Sequence, residues 1–233
     1  MVNARTTFTP SARGELPPQS SVSFGEITIG GMVILFDSYL TEISFPNLLT
    51  ATTAGSAVGF WAFTFLGLSV LKKFLAPLLE SCSGGLVVSF CVDLVQCDFS
   101  SLATINNFQQ PTLTPIPPLL IGNTALTTLD FPLLSSTDGG SLPIQKGLSV
   151  VNNLELTSIT IPSLIFNDTG EYDFSNNALN VLSVNAILAQ AVASAGFISG
   201  SLDLSGGTNA APTGQGITDS ATLTTRGVTV TTN

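Results

Sequence analysis

The chain contains no histidine. That absence removes the commonest general base and metal ligand, and it excludes Ser-His-Asp and Cys-His catalysis by this chain alone. Basic residues are scarce as well: 6 Lys and Arg stand against 15 Asp and Glu, a formal net charge of −9. Nucleic acid and anionic lipid both require a basic footprint, so neither is expected as a partner. Charged residues of both signs make up 9% of 233 positions, where about a quarter is usual. The surface must therefore be built from Ser, Thr, Asn, Gln and Gly, as in many extracellular or virion β-proteins. Three cysteines, Cys82, Cys91 and Cys97, are an odd number without zinc-site spacing. Buried free thiols are favoured over a disulfide.

Two further features are missing. The opening "MVNARTTFTPSARGELPPQSS" is polar and lacks the apolar stretch of a signal peptide. The apolar run "AVGFWAFTFLGLSVL" (57–71) is 15 residues, short of the roughly 20 that span a bilayer. It alternates around Phe63 and Phe65 as a strand does, so no membrane insertion is expected. Trp61 with Phe60, Phe63 and Phe65 is expected in a core rather than on a sugar-stacking platform.

What is present is a repeat. "LTEISFPNL" (40–48), "LKKFLAPLL" (71–79), "LVQCDFSSL" (94–102), "LTTLDFPLL" (126–134), "LTSITIPSL" (156–164) and "LNVLSVNAI" (179–187) share the template L-x-x-Φ-x-Φ-P-x-L, where Φ is apolar. The first leucines are spaced by 31, 23, 32, 30 and 23 residues. Self-similarity at such a period marks a solenoid, whose units bury their apolar sides by stacking. Each unit is expected to hold an apolar strand, a small polar corner such as "NN", and a second strand carrying the template. Leu40, Leu71, Leu94, Leu126, Leu156 and Leu179 then point inward. Proline is normally excluded from central strands, yet Pro46, Pro77, Pro132 and Pro162 each follow the last Φ. There the chain is expected to leave the ladder at a corner.

The boundaries follow from this pattern. Residues 1–22 form an extended arm and 23–182 the mainly β solenoid. A capping module at 183–233 has β-α-β-α-β character. Its first helix runs from Ser183 as cap, through an apolar face of Val184, Ile187, Leu188, Ala191, Val192 and Ala195, to Gly196 as stop. Its second runs from Thr218 to Gly227. Insertions at 50–59, 103–116 and 135–145 are expected along one edge of the stack.

"GLSVVNNLELTSITIPSL" resembles the leucine-rich, receptor-L-domain-like repeats that build a right-handed β-solenoid. The tail from "LNVLSVNAILAQAVASAGFISGSLDLSGG" to "GVTVTTN" resembles the C-terminal leucine-rich-repeat module of many phage and bacterial virion or surface proteins. The resemblance spans roughly 25–233. It implies a non-enzymatic phage virion structural protein that acts in attachment or adhesion, as a tail fibre, receptor-binding or decoration component. A bacterial cell-surface adhesin and a carbohydrate-active β-solenoid enzyme remain the alternatives, and no cofactor is implied.

Candidate contact residues follow from chemistry. Arg5 and Arg13 in the arm suit acidic neighbours, namely other virion proteins or further copies in a homo-oligomer. Asn106, Asn107, Gln109, Gln110, Leu113, Asp138 and Leu142 in the insertions suit a neighbouring subunit, or a host surface glycan or protein. Asp98 and Asp130 share one template position; at a strand spacing of about 4.8 Å they suggest a surface Ca²⁺ site, against the plainer alternative of two solvated acids. Glycoside hydrolysis needs a cleft and a desolvated acid, and nothing marks either. "SGGTNAAPTGQG" (205–216) lacks the Lys of a phosphate-binding loop.

Overall fold

The computed structural model describes residues 21–23, 28–29, 32–35, 39–52, 62–106, 117–138 and 145–233. Its strands come in threes. The first triplet is Ser21–Ser23 (β1), Thr28–Ile29 (β2) and Met32–Leu35 (β3); the second is Glu42–Ser44 (β4), Thr50–Thr52 (β5) and Phe63–Leu66 (β6). The third is Lys73–Leu75 (β7), Ser81–Ser83 (β8) and Leu86–Ser89 (β9), and the fourth is Gln96–Asp98 (β10), Thr104–Asn106 (β11) and Leu119–Gly122 (β12). The fifth is Thr128–Asp130 (β13), Ser136–Asp138 (β14) and Gln145–Val151 (β15). Then follow Ser158–Thr160 (β16), Gly170–Asp173 (β17), helix Val181–Ala193 (α1), Ser201–Asp203 (β18), helix Gln215–Thr225 (α2) and Thr229–Thr231 (β19).

Strands β1, β4, β7 and β10 form a first sheet, and β2, β5, β8, β11 and β14 a second. A third runs β3, β6, β9, β12, β15, β17, β18, β19, while β13 and β16 pair separately. These pairings are parallel. Parallel neighbours cannot be joined by a tight hairpin; in the first five triplets the chain passes through the other sheets between neighbours, and β17, β18 and β19 are joined through the two helices. The fold is mainly β with parallel sheets. A unit holds three strands where the sequence pattern suggests two. The extra strand sits at the head of the segments at 50–59, 103–116 and 135–145, which are therefore not loops throughout. β1 also pairs with β4, so the expected arm boundary at residue 22 falls inside a strand.

The template explains the core. Leu40, Leu71, Leu94, Leu126, Leu156 and Leu179 are all buried. So are the Φ positions Ile43, Phe45, Phe74, Ala76, Phe99, Leu129, Phe131, Ile159 and Ile161. Aromatic rings follow one another through the core, with Phe74–Phe99 centroids 5.2 Å apart and Phe99–Phe131 5.6 Å apart. Proline marks where the ladder ends. The Phe45 N–H still reaches the next unit, donating to Leu75 O at 2.8 Å; the chain then turns, and the Leu48 N–H donates back to Phe45 O at 3.3 Å. The same closure joins Leu79 to Ala76 at 3.1 Å and Leu164 to Ile161 at 3.2 Å. Proline is the second residue of these four-residue turns, where its fixed φ fits and no N–H is needed. Ser100 replaces it in one unit, with its Oγ 3.3 Å from Pro77 O.

The other corner has its own signature. Gly67, Phe90, Asn123, Asn152, Asn176 and Gly206 all take positive φ, between 55° and 73°. Glycine and asparagine tolerate this region, whereas a bulky side chain is strained there. Phe90 is 60% exposed, so packing does not offset the strain. Phe90→Asn is expected to raise stability by about 1 kcal/mol, read as a higher urea midpoint; an unchanged or lower midpoint would show that the ring contributes packing after all.

Inside this corner runs a buried polar spine. The Thr124 N–H and hydroxyl donate to Asn153 Oδ1 at 3.0 and 2.7 Å, and the Asn153 N–H donates to Asn177 Oδ1 at 2.9 Å. Asn153 Nδ2 donates to Ile121 O at 3.3 Å and Val151 O at 3.1 Å; Asn177 Nδ2 donates to Val150 O at 2.7 Å and Phe174 O at 2.8 Å. Asn209 continues the pattern, accepting from the Leu179 N–H at 2.9 Å. Earlier in the chain Cys91 takes this place. Its Sγ lies 3.8 Å from Phe65 O and 3.6 Å from Ser89 O, the counterparts of Ile121 O and Val151 O.

The sixth template copy becomes a helix. Leu179 stays buried, but Leu182 is 77% exposed, because the 3.6-residue period replaces the strand period. α1 begins before Ser183, and its cap is Asn180, whose Oδ1 accepts from the Ser183 N–H at 3.0 Å. Asn180 has the extended backbone a cap needs. Ser183 is buried instead, its Oγ accepting from the Ile159 N–H at 2.9 Å. Val184, Ile187, Leu188 and Ala191 face the core, while Ala195 is exposed beyond the helix end at Ala193. α2 likewise starts before Thr218, at Gln215, after Gly214 with φ 51°. Gly227, with φ 98°, ends the turn that follows. Arg226 Nη1 donates to Val192 O at 2.8 Å, placing a cation at the α1 C-terminus. Among the described residues no helix is long and apolar enough to cross a membrane.

Candidate interaction surfaces

The second sheet carries the most regular outer face. Its strands are T-A-T, S-C-S, T-I-N and S-T-D. In register, Thr50, Ser81, Thr104 and Ser136 form one column, and Thr52, Ser83, Asn106 and Asp138 a second. The middle residues Ala51, Cys82, Ile105 and Thr137 are buried. Strand alternation therefore turns the described side chains of the two columns outward. Thr52, Ser83 and Asn106 are exposed, and Thr50, Ser81, Thr104 and Ser136 partly so. Neighbouring strands are about 4.8 Å apart and alternate residues about 6.7 Å, so the face is a grid of hydroxyl and amide groups. Three-residue strands give no period of two to detect. The usable signal was the spacing, since each first-column residue stands 10 positions after its template leucine.

Asn106 is the one expected contact residue whose side chain is described, and it belongs to this grid. The backbone of Asp138 pairs beside it; the Asp138 side chain lies outside the described set. Arg5, Arg13, Asn107, Gln109, Gln110, Leu113 and Leu142 also lie outside the described residues, as do Phe60 and Trp61. Phe63 and Phe65 are core. The three insertions all follow from strands of this one sheet.

No ladder among the described strands pairs Asp98 with Asp130, although the rings that follow them, Phe99 and Phe131, stack with centroids 5.6 Å apart. β10 and β13 lie in different sheets. The corner before β13, Thr124-Ala125-Leu126, is one residue shorter than Cys91-Val92-Asp93-Leu94. Asp98 Oδ1 instead accepts from the Ser100 N–H at 3.1 Å. Among the described residues no cluster of three Asp, Glu, His or Cys side chains could hold a metal ion. On the first sheet, Lys73 Nζ lies 3.8 Å from Glu42 Oε2 across neighbouring strands, a half-exposed pair of small energetic weight.

All three thiols are free; Cys82 and Cys91 are buried and Cys97 partly so. Burial pushes Cys82 from 9.0 up to about 12 and Cys91 up to about 11. Burial is also the main cause of the rise at Cys97, with Cys91 and Asp98 adding to it. The folded chain thus holds thiol protons that the unfolded chain releases near pH 9. Their stabilisation is complete below that pH and is expected to fade as pH rises from about 9 towards 12. Urea midpoints measured across that range check the sign; a midpoint that climbs with pH there would contradict it. The chain matches no protein-family model, and neither the curated proteins nor the solved structures give a match.

Proposed function

We propose that this chain is a non-enzymatic structural protein of a phage-type virion, folded as a right-handed β-solenoid with three strands per turn, whose second-sheet grid meets an uncharged partner such as a host surface glycan. The grid is the observation that carries it: two columns of short hydrogen-bonding side chains at constant spacing on a chain with few charges. Neutral polar ligands are bound by such groups through direct and water-bridged hydrogen bonds. The helices following β17 and β18 serve as the solenoid's cap. The resemblance read in the tail sequence supports a virion location, with an extracellular or cell-surface site as alternative. The N-terminal arm, through Arg5 and Arg13, anchors the chain to acidic neighbours.

The test is direct. Antibody to this chain should decorate purified particles in micrographs, and deletion of residues 1–20, which spares β1, should abolish incorporation. Thr52→Lys/Ser83→Lys/Asn106→Lys should reduce adsorption to host cells at least tenfold while melting stays unchanged. Polysaccharide turnover by the purified chain would overturn the non-enzymatic assignment, and full adsorption by the triple variant would remove the grid from the contact.

A further inference from the structure

Strand β19 ends the third sheet. Among the described residues β19 pairs only with β18. The Thr229 N–H donates to Gly200 O at 2.9 Å and Thr231 O accepts from the Leu204 N–H at 2.8 Å. Backbone groups alternate sides along a strand, so the N–H and C=O of Val230 point to the open side. Edges of this kind are normally blunted with Lys, Pro or a bulge. Thr229-Val230-Thr231 has none of these. After it Asn233 bonds on the β18 side, its Oδ1 accepting from the Gly206 N–H at 2.7 Å.

We propose that two copies of this chain associate through this edge about a two-fold axis at Val230, joining their third sheets into one. Two observations select a second copy. The segment is palindromic, so antiparallel pairing sets each Val230 opposite the other and each Thr229 opposite a Thr231, and cross-strand Thr pairs are favourable. The two Val230 residues exchange both N–H···O=C bonds, as a hydrogen-bonded antiparallel pair does. Charge agrees as well. The chain carries −9, so self-association needs a neutral surface. β19 bears no charge; in the neighbouring α2, Asp219 is buried and Arg226 is engaged at Val192 O. A two-fold contact of this kind closes at the dimer. The inference does not depend on the virion reading.

Light scattering on the full chain should give twice the single-chain mass, and the Val230 amide should exchange slowly with solvent. Val230→Pro removes the outward N–H and no ladder bond. Thr229→Lys/Thr231→Lys places lysines opposite lysines, using exposed side chains. Either variant should halve the mass while melting of the single chain stays cooperative; should Val230→Pro fail to fold, the lysine pair decides. A monomeric wild type, a dimer that survives the lysine pair, or an open-ended series of masses would each overturn the proposal, the last pointing to head-to-tail stacking.

Discussion

Asn153→Ala should lower the unfolding free energy by about 3–5 kcal/mol, because several buried donors and acceptors lose their partner together. Asn153 is fully buried. Its Oδ1 receives two bonds from Thr124 and its Nδ2 serves Ile121 O and Val151 O. Removing the amide leaves these groups without that partner in a buried corner. Asn153→Asp should be as damaging, since it keeps the shape but loses both donors and buries a charge. Leu154→Ala, one position on and 69% exposed, is the control. Urea unfolding of the three variants measures the difference. Should Asn153→Ala cost no more than Leu154→Ala, the spine is not a stabilising element.

Gly147→Ala is the second large effect, expected at about 3 kcal/mol, the upper end of overpacking costs. A Cβ at Gly147 would lie 2.3 Å from Cε1 of Tyr172. That ring has nowhere to go. It is fully buried, 4.3 Å from Phe166 and 5.6 Å from Phe197 between ring centroids. Its hydroxyl accepts from the Asn167 N–H at 2.8 Å. The register between β15 and β17 shifts between Lys146 and Ser149, where the ring fills space that a regular ladder would close. Tyr172→Leu shortens the side chain and should recover much of the loss in the double variant, whereas Tyr172→Phe keeps the ring and should not. Additive costs for Gly147→Ala and Tyr172→Leu would place the strain elsewhere.

Much of the fold was legible because the template encodes burial directly. Leu126, Leu129 and Phe131 sit inside and Pro132 outside, and the proline turn follows from φ alone. The third strand was hidden for a physical reason. Its single inward position accepts Ala51, Cys82, Ile105 or Thr137, so no residue type marks it. The helix start was displaced because Asn180 and Ser183 are both good caps, and burial against β16 claimed Ser183. Of the candidate contacts, only Asn106 could be placed on a regular face. Asp98 and Asp130 show the limit of register arithmetic: equal template positions do not give a shared ladder, since β10 and β13 pair in different sheets.

The parallel ladders also set how the molecule bears load. Every inter-strand hydrogen bond joins one unit to the next, so tension along the stack falls on few bonds at a time. Pulled from its two ends, the chain should peel unit by unit rather than shear as a block. Steps should follow the unit spacings of 23 to 32 residues, about 8–11 nm of extended chain each, and force–extension traces would show them as a series of separate rips. A single rip at high force would mean that the buried side chains, and not the ladders, bind the units into one mechanical body.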